Sequence, residues 1–350
     1  MAEYKKQHYV PRFLLKKFSV DDKGKKINIF NITDNGFIEN KAGIKEQCYV
    51  DYLYGKDGSV EHAFSLCETR WEKILSEIIK NKSVPMHFNE NPELFTDIIF
   101  FILMQNSRNL VSIENVQEFT QKFIEKKYEL ENTGVALRKE AAAKLNLDGI
   151  LEDGFWISDL HLKLACNNTL IPFVIGDNPV VFYNKLFEAD NAACHLGYTC
   201  NGLVIFVPIT PKITLIMYDN TVYKFGKKDE TTIIINKQAD VEELNKLQIL
   251  NARENVYYSL SFSKDYKSLM QKQALTREKH NNVSEYQIGN LQMLRLERQK
   301  LPTSLILSFL KFKKKISQQK FIRDKPLQYF TKDMLVGLYQ YELVIGKKLI

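Results

Sequence analysis

The chain has 350 residues, enough for one large domain or two ordinary ones, and its 45% apolar and 26% charged content excludes a disordered polymer. Five cysteines (Cys48, Cys67, Cys166, Cys194 and Cys200) show no paired spacing with each other or with histidine, which argues against a structural zinc site. The net charge of +7 is local: residues 301–350 hold 10 Lys/Arg against 3 Asp/Glu, whereas residues 1–300 hold 39 of each. Such a basic end suits either a nucleic-acid contact or a solvated lysine-rich face.

The longest apolar run, residues 98–104, is far short of the ~20 residues a membrane span needs. No apolar core follows the first cations, so no secretory signal is expected and the chain reads as a reduced, cytoplasmic protein.

In chain order, "KKQHYVPRFLLKKFS" at residues 5–19 sets His8 and Arg12 among aromatics around Pro11, a short rigid segment with one titratable ring. "SVEHAFSLCETRWEKILSEIIKN" predicts a helix over 59–81, with its apolar stripe through Phe64, Cys67, Trp71 and Ile78. Glu61 and Glu68 form a column at the border of that stripe. Carboxylates so placed can face a cleft, where they would hold a divalent cation or divide acid and base roles. "NPELFTDIIFFILMQNSRN" is apolar nearly all round and predicts a central buried helix. Gln105 and Arg108 lie three residues apart near its end and point inward, so polar partners must meet them. A structural network would satisfy them as well as a ligand. Helices over about 113–131 and 136–145 follow.

From residue 160 the chain turns to short β-branched strands, "LHLKLAC", "LIPFVIGDNPVVF", "GLVIFVPI", "KITLIMYD" and "TTIIIN". The gaps between several are too short for crossover helices, which predicts a mainly antiparallel sheet. In "VIGDNPVV" Asp177 and Asn178 sit between a strand and a proline, a turn chemistry that is also where sheets present acids to ligands. "ADVEELNKLQILNAREN" reads as a helix whose Asn245, Gln248 and Asn251 share a face, an inward amide seam. A strand "VYYSLSF" and two or more helices complete the chain. The fold class is therefore α+β: a helical N-terminal half packed on a mainly antiparallel sheet, with a helical, basic C-terminal extension. The boundaries fall at 1–262 and 263–350. No glycine-rich phosphate loop occurs. His62, His87, His161, His195 and His280 have no spaced partners and no chemistry is assigned to them.

The block "QHYVPRFLLKKF" closely resembles the signature of the HYVP-motif bacterial family of uncharacterised proteins, domain of unknown function 4238. "YLYG", "VEHAFSLCE", "FILMQNSR", "FVIGDNPVV", "FVPITPKITLIMY" and "LNKLQILNARENVYYS" are similar to the family in the same order, from about residue 7 to 259. The family commonly has Ser or Thr where this chain has Gly176. The resemblance implies that His8, Glu61, Glu68, Gln105, Arg108, Asp177 and Asn178 matter, and it supplies no reaction.

The mixture predicts a nuclease-like enzyme cleaving phosphodiesters, with bacterial anti-phage defence as its setting. In that scheme His8 is general acid or base, and Asp177 with Glu68 and Glu61 holds Mg2+ or Mn2+ or activates water. Arg12 or Arg108 stabilises phosphoryl charge. Gln105, Asn178 and Asn245 join Arg12 as substrate contacts. Nucleic acid would be gripped through Lys311, Lys313, Lys314, Lys315, Lys320 and Arg323. Two alternatives stay open: an enzyme cleaving NAD or nucleotides, and a non-catalytic nucleic-acid-binding or sensing module. The enzyme readings require one shared cavity.

Overall fold

The computed structural model describes residues 5–21, 23–128, 137–148, 150–190, 195–278, 282–288, 291–313 and 320–323. Its helices are α1 (Arg12–Lys16), α2 (Ser59–Asn81), α3 (Pro92–Ser107), α4 (Leu110–Lys127), α5 (Lys139–Asp148), α6 (Ile150–Ile157), α7 (Gln238–Asn251) and α8 (Lys264–Leu275).

The central helix is α3, as its all-round apolarity predicts. Asn91 caps it by accepting the Leu94 N–H at 3.1 Å, and Pro92 opens it where no intrahelical donor is needed. Residues 98–104 are all buried. They pack among α2, α5 and α6, so six helices and the N-terminal segment share one core.

That core also covers one face of a five-stranded sheet, in the order Thr232–Ile235, His161–Asn167, Ile213–Tyr218, Val204–Thr210, Val181–Tyr183. The pairings are antiparallel except for 232–235 beside 161–167, which is parallel. Alternation decides the faces: Leu162 and Leu164 look to the helices, while Ala165, Phe206 and Ile216 look the other way, toward α7. Lys163 falls on that second face and is only 1% exposed.

A four-stranded sheet, Gly36–Gly43, Lys26–Asn31, Asn255–Tyr258, Ile175–Gly176, lies beneath α8. The predicted α+β class is therefore the observed one. After residue 262 the chain begins with α8, as expected of a helical extension, but continues as strands. Val283–Ile288 pairs with Leu291–Leu296, and Leu310–Phe312 pairs with Tyr223–Phe225. Leu301, Leu305 and Leu307 are buried beside α7. No described helix is long and apolar enough to cross a membrane.

Candidate functional site

The inward turn at the end of α3 grips the N-terminal segment. Residues 6–8 form a short strand paired with 49–51, which places His8 opposite Tyr49. Gln7 fixes the strand by donating from Nε2 to the Gly55 carbonyl at 2.8 Å, while its Oε1 accepts the Tyr54 N–H. The next two carbonyls are taken by α3: Arg108 Nη2 donates to the carbonyl of His8, and Gln105 Nε2 to that of Tyr9 at 2.9 Å.

Arg108 ties three segments together. Its guanidinium is 1% exposed and lies over the Phe64 ring, 4.4 Å from the centroid. Nη1 donates to Glu68 at 2.8 Å, and the Tyr54 hydroxyl donates to the Arg108 carbonyl at 3.2 Å. Glu61, Phe64 and Glu68 recur at i, i+3 and i+7 on α2, so the arginine meets one face of that helix. Sequence reasoning places Phe64 in the apolar stripe and passes over Tyr54. Both touch Arg108, and the "YLYG" block is the available signal for Tyr54.

Five side-chain atoms around this arginine are buried without a hydrogen-bond partner: His8 Nε2, Arg12 Nε, Glu61 Oε2, Gln105 Oε1 and Arg108 Nε. Native interiors rarely leave such groups unsatisfied, so five of them around one arginine make this the candidate site. Electrostatics sharpen the point. Burial, and next the Arg12 charge, lower the His8 pKa to about 4 against a hydrogen bond to the Lys45 backbone. The ring is therefore neutral near pH 7. Because Nε2 is the nitrogen without a partner, Nδ1 holds the proton facing Lys45 and Nε2 carries the lone pair. Burial raises the Glu61 pKa to about 7, with Arg108 drawing it down and Glu68 pushing it up. A neutral imidazole and a carboxyl that holds its proton near neutrality thus both lie within reach of the Arg108 charge, while Arg12 acts on His8 alone of the two.

Asp177 is not part of that neighbourhood. No influence of it reaches Glu61, whereas Tyr9, Cys48 and Tyr257 do feel its charge. The side chain clamps backbone, accepting the N–H groups of Arg253 (2.6 Å), Glu254 (2.8 Å) and Asn255 (3.0 Å) at the turn leaving α7. Burial pushes its pKa up to about 6, against those three bonds. The expected set Glu61, Glu68 and Asp177 is therefore not assembled. Among the described residues no group of three His, Cys, Asp or Glu has the geometry to hold a metal ion.

The amide seam is likewise backbone stitching. Asn245 accepts the Val174 N–H at 3.0 Å and donates to the Pro172 carbonyl at 2.9 Å, which corrects its expected substrate contact. Gln248 accepts the Gly176 N–H at 2.9 Å and donates to the Pro179 carbonyl at 3.0 Å. Asn251 donates to the carbonyls of Asn178 and Val180. Here α7 replaces a neighbouring strand for residues 172–180. That closeness explains Gly176: a Cβ would stand 3.1 Å from the Ala252 Cβ and 3.2 Å from the Gln248 carbonyl. Asn178 donates to the Asn251 carbonyl at 3.1 Å, and its Oδ1 has no partner. It lines a separate cavity of about 310 Å³ with Asn106, Asn251 and Tyr198.

At the basic end, Lys311, Lys313 and Lys320 are exposed, and Lys314 and Lys315 lie outside the described residues. Arg323 departs from expectation. It is 6% exposed, with Nε donating to Asp159 at 2.8 Å and Nη1 to the Cys200 carbonyl at 2.8 Å, so it serves the interior rather than a surface partner.

A family model described as a protein of unknown function, DUF4238, matches residues 6–261. No curated protein and no solved structure matches the chain.

Proposed function

The chain belongs to the DUF4238 family, whose function is unknown, and from the site itself we propose a hydrolase of phosphodiester bonds, a nuclease centred on Arg108. His8 Nε2 takes the proton from the attacking water. Glu61 delivers its proton to the departing oxygen, and Arg12 and Arg108 balance charge on the phosphoryl oxygens. The observation that carries this reading is the cluster of five partnerless polar atoms on His8, Arg12, Glu61, Gln105 and Arg108. Of the carboxylates expected to hold Mg2+ or Mn2+, Glu61 and Glu68 remain neighbours, but an ion held there would displace the Glu61 proton and compete with Arg108 for Glu68, so it would replace the acid's role rather than accompany it. The setting is the cytoplasm, in defence against foreign nucleic acid. Cys48, Cys67 and Cys166 are free thiols, which suits a reducing compartment.

A second reading, cleavage of NAD or another nucleotide, is favoured by the depth of the site. Each of the five atoms is closed to water, so a small phosphate-bearing group reaches them more easily than a duplex does. Incubation of the purified protein with DNA, RNA, NAD and nucleotides, with magnesium or manganese, separates the two. Cleavage of polynucleotide that His8→Asn abolishes, at an unchanged melting temperature, supports the first; loss of NAD or nucleotide alone supports the second. Binding without turnover of any of them would leave only a non-catalytic module.

The pH profile is a stricter test. His8 must be neutral, which holds above about pH 4, and Glu61 must be protonated, which holds below about pH 7. The rate is expected to be flat between these limits and to fall about tenfold for each further pH increment of one above 7. Glu61→Gln, which cannot give up a proton, should lose at least ~100-fold in kcat. A rate that climbs through pH 8 would remove Glu61 from the acid's role.

A further inference from the structure

We propose that a second site, on the far face of the five-stranded sheet, binds a chain of phosphates through Lys163, Lys224, Lys228 and Lys313. It shares no residue with the His8 cluster and stands independently of the nuclease reading.

The site is a cavity of about 430 Å³, to which His87 and His161 also contribute. Its lysines come from three separate pieces of chain. Lys163 is on the second strand of the sheet, Lys224 and Lys228 are on and just after the strand 223–225, and Lys313 directly follows the strand 310–312 that pairs with it. The Lys313 N–H donates to the Val222 carbonyl at 2.9 Å, which fixes its approach. Pairing of distant segments thus concentrates cations that are far apart in sequence.

These cations are not neutralised from within. Among the described residues none of the four ammonium groups has a carboxylate within 4.0 Å. Lys313 Nζ donates to the neutral Asn220 amide oxygen at 3.1 Å. Lys163 is the most telling. At 1% exposure its Nζ donates to the Lys227 carbonyl, and the carboxylates of Glu230 and Asp229 act on it only at longer range. A buried ammonium served by a neutral carbonyl is an expensive arrangement unless an anion completes it. Burial lowers the proton affinity of both Lys163 and Lys313, and the more distant charges of Glu230 and Asp229 on the one and of Asp219 on the other only partly oppose it. Of the two acids lining the cavity, Glu90 is already engaged by His87 at 3.2 Å and by the Met86 N–H at 2.6 Å, and Asp229 is the other.

One wall offers a further polar atom. His161 Nδ1 is buried without a partner, in a ring whose centroid is 5.8 Å from that of His87 and 6.0 Å from that of Tyr218. The sequence pattern assigns neither histidine a role, yet both face the lysines. The cavity is larger than one phosphate, and its four lysines come from three separate pieces of chain, three of them exposed and one buried. An extended anion satisfies them better than a single one. A nucleoside di- or triphosphate and the backbone of a single strand present the same chemistry.

The test is calorimetric titration of the full chain in low-salt, phosphate-free buffer, with inorganic phosphate, tripolyphosphate, ATP and oligothymidylate. Tripolyphosphate is expected to bind at least tenfold more tightly than inorganic phosphate. The variant Lys224→Gln/Lys228→Gln/Lys313→Gln changes three exposed side chains, so it should melt as the parent does while losing at least tenfold in tripolyphosphate affinity. Lys163→Met is a second variant, for the buried cation, and should lose binding as well. ATP binding more tightly than tripolyphosphate identifies a nucleotide as the source. An oligonucleotide binding more tightly than ATP, with a salt slope reduced by about 2 in the triple variant, identifies a nucleic-acid backbone. Either supports the site. Inorganic phosphate matching tripolyphosphate, binding of none of the four, or affinity unchanged in the triple variant overturns it.

Discussion

Replacing Arg108 with methionine is expected to lower the unfolding free energy by about 3–5 kcal/mol, because it strips the partner from a buried ion pair. The loss has three parts. Glu68 keeps a carboxylate whose side chain is only 25% exposed. The His8 carbonyl loses its donor, and the Phe64 face loses the guanidinium that covers it. Methionine fills most of the volume, so the change reads the polar contacts rather than a cavity. Arg108→Lys should recover little, since an ammonium cannot serve Glu68 and the His8 carbonyl with a planar fork. Urea denaturation measures both. In a double-mutant cycle, Glu68→Gln should cost far less in the Arg108→Met background than alone, because the carboxylate it removes has already lost its partner. An unmoved urea midpoint for Arg108→Met would mean that the arginine is held for ligand binding and adds nothing to the fold.

Arg108 also shows what a sequence can disclose. Its inward direction is legible because a guanidinium three residues from a glutamine, on a helix apolar all round, has no solvent face to occupy. The Glu61 and Glu68 column is legible for the same reason, the 3.6-residue period of α2. Partners are another matter. Arg108 binds a carbonyl of residue 8, and backbone carbonyls carry no residue identity for a sequence to reveal. Asp177 illustrates the error this causes. A carboxylate after a strand looks the same whether it awaits a ligand or caps N–H groups, and its three donors lie 76 to 78 residues ahead. The amide seam of α7 fails likewise: direction correct, partners backbone. In the C-terminal part the strands leave a trace in the alternation of "VSEYQI" and "LQMLRL", a pattern too short to outweigh a helical reading of the segment. The lysine cavity is not readable at all, since only the pairing of 223–225 with 310–312 brings its members together.

Removing the Asp177 carboxylate should cost about as much as removing Arg108, by a different route. Asp177→Ala leaves three part-buried backbone N–H groups without acceptors, at up to about 1–3 kcal/mol each, so a loss of about 3–5 kcal/mol is expected after relaxation and partial hydration. Asp177→Asn retains one oxygen but turns an NH2 group toward donors, so it should recover less than half. The pH dependence separates this clamp from a catalytic acid. The folded pKa of about 6 lies above the ordinary 3.8, so the protonated form is favoured in the native state. The stabilising contribution of that proton is complete below about pH 3.8 and is lost as the pH rises through 6. Wild-type protein should therefore exceed Asp177→Asn in stability by about 2–3 kcal/mol more at pH 4 than at pH 7, since moving a carboxyl pKa by one is worth about 1.36 kcal/mol. His8 runs the other way. Its depressed pKa supplies stability above about pH 6.5 that disappears as the pH falls toward 4. In the wild type the two gradients oppose each other between pH 4 and 6.5. In Asp177→Asn its share is gone, which leaves the raised Glu61 carboxyl alone to oppose the lowered His8 and His161 rings, so the variant should be more acid-labile than the wild type. Urea midpoints recorded from pH 4 to pH 8 show both effects, and parallel curves for the two proteins would refute the assignment of a raised pKa to Asp177.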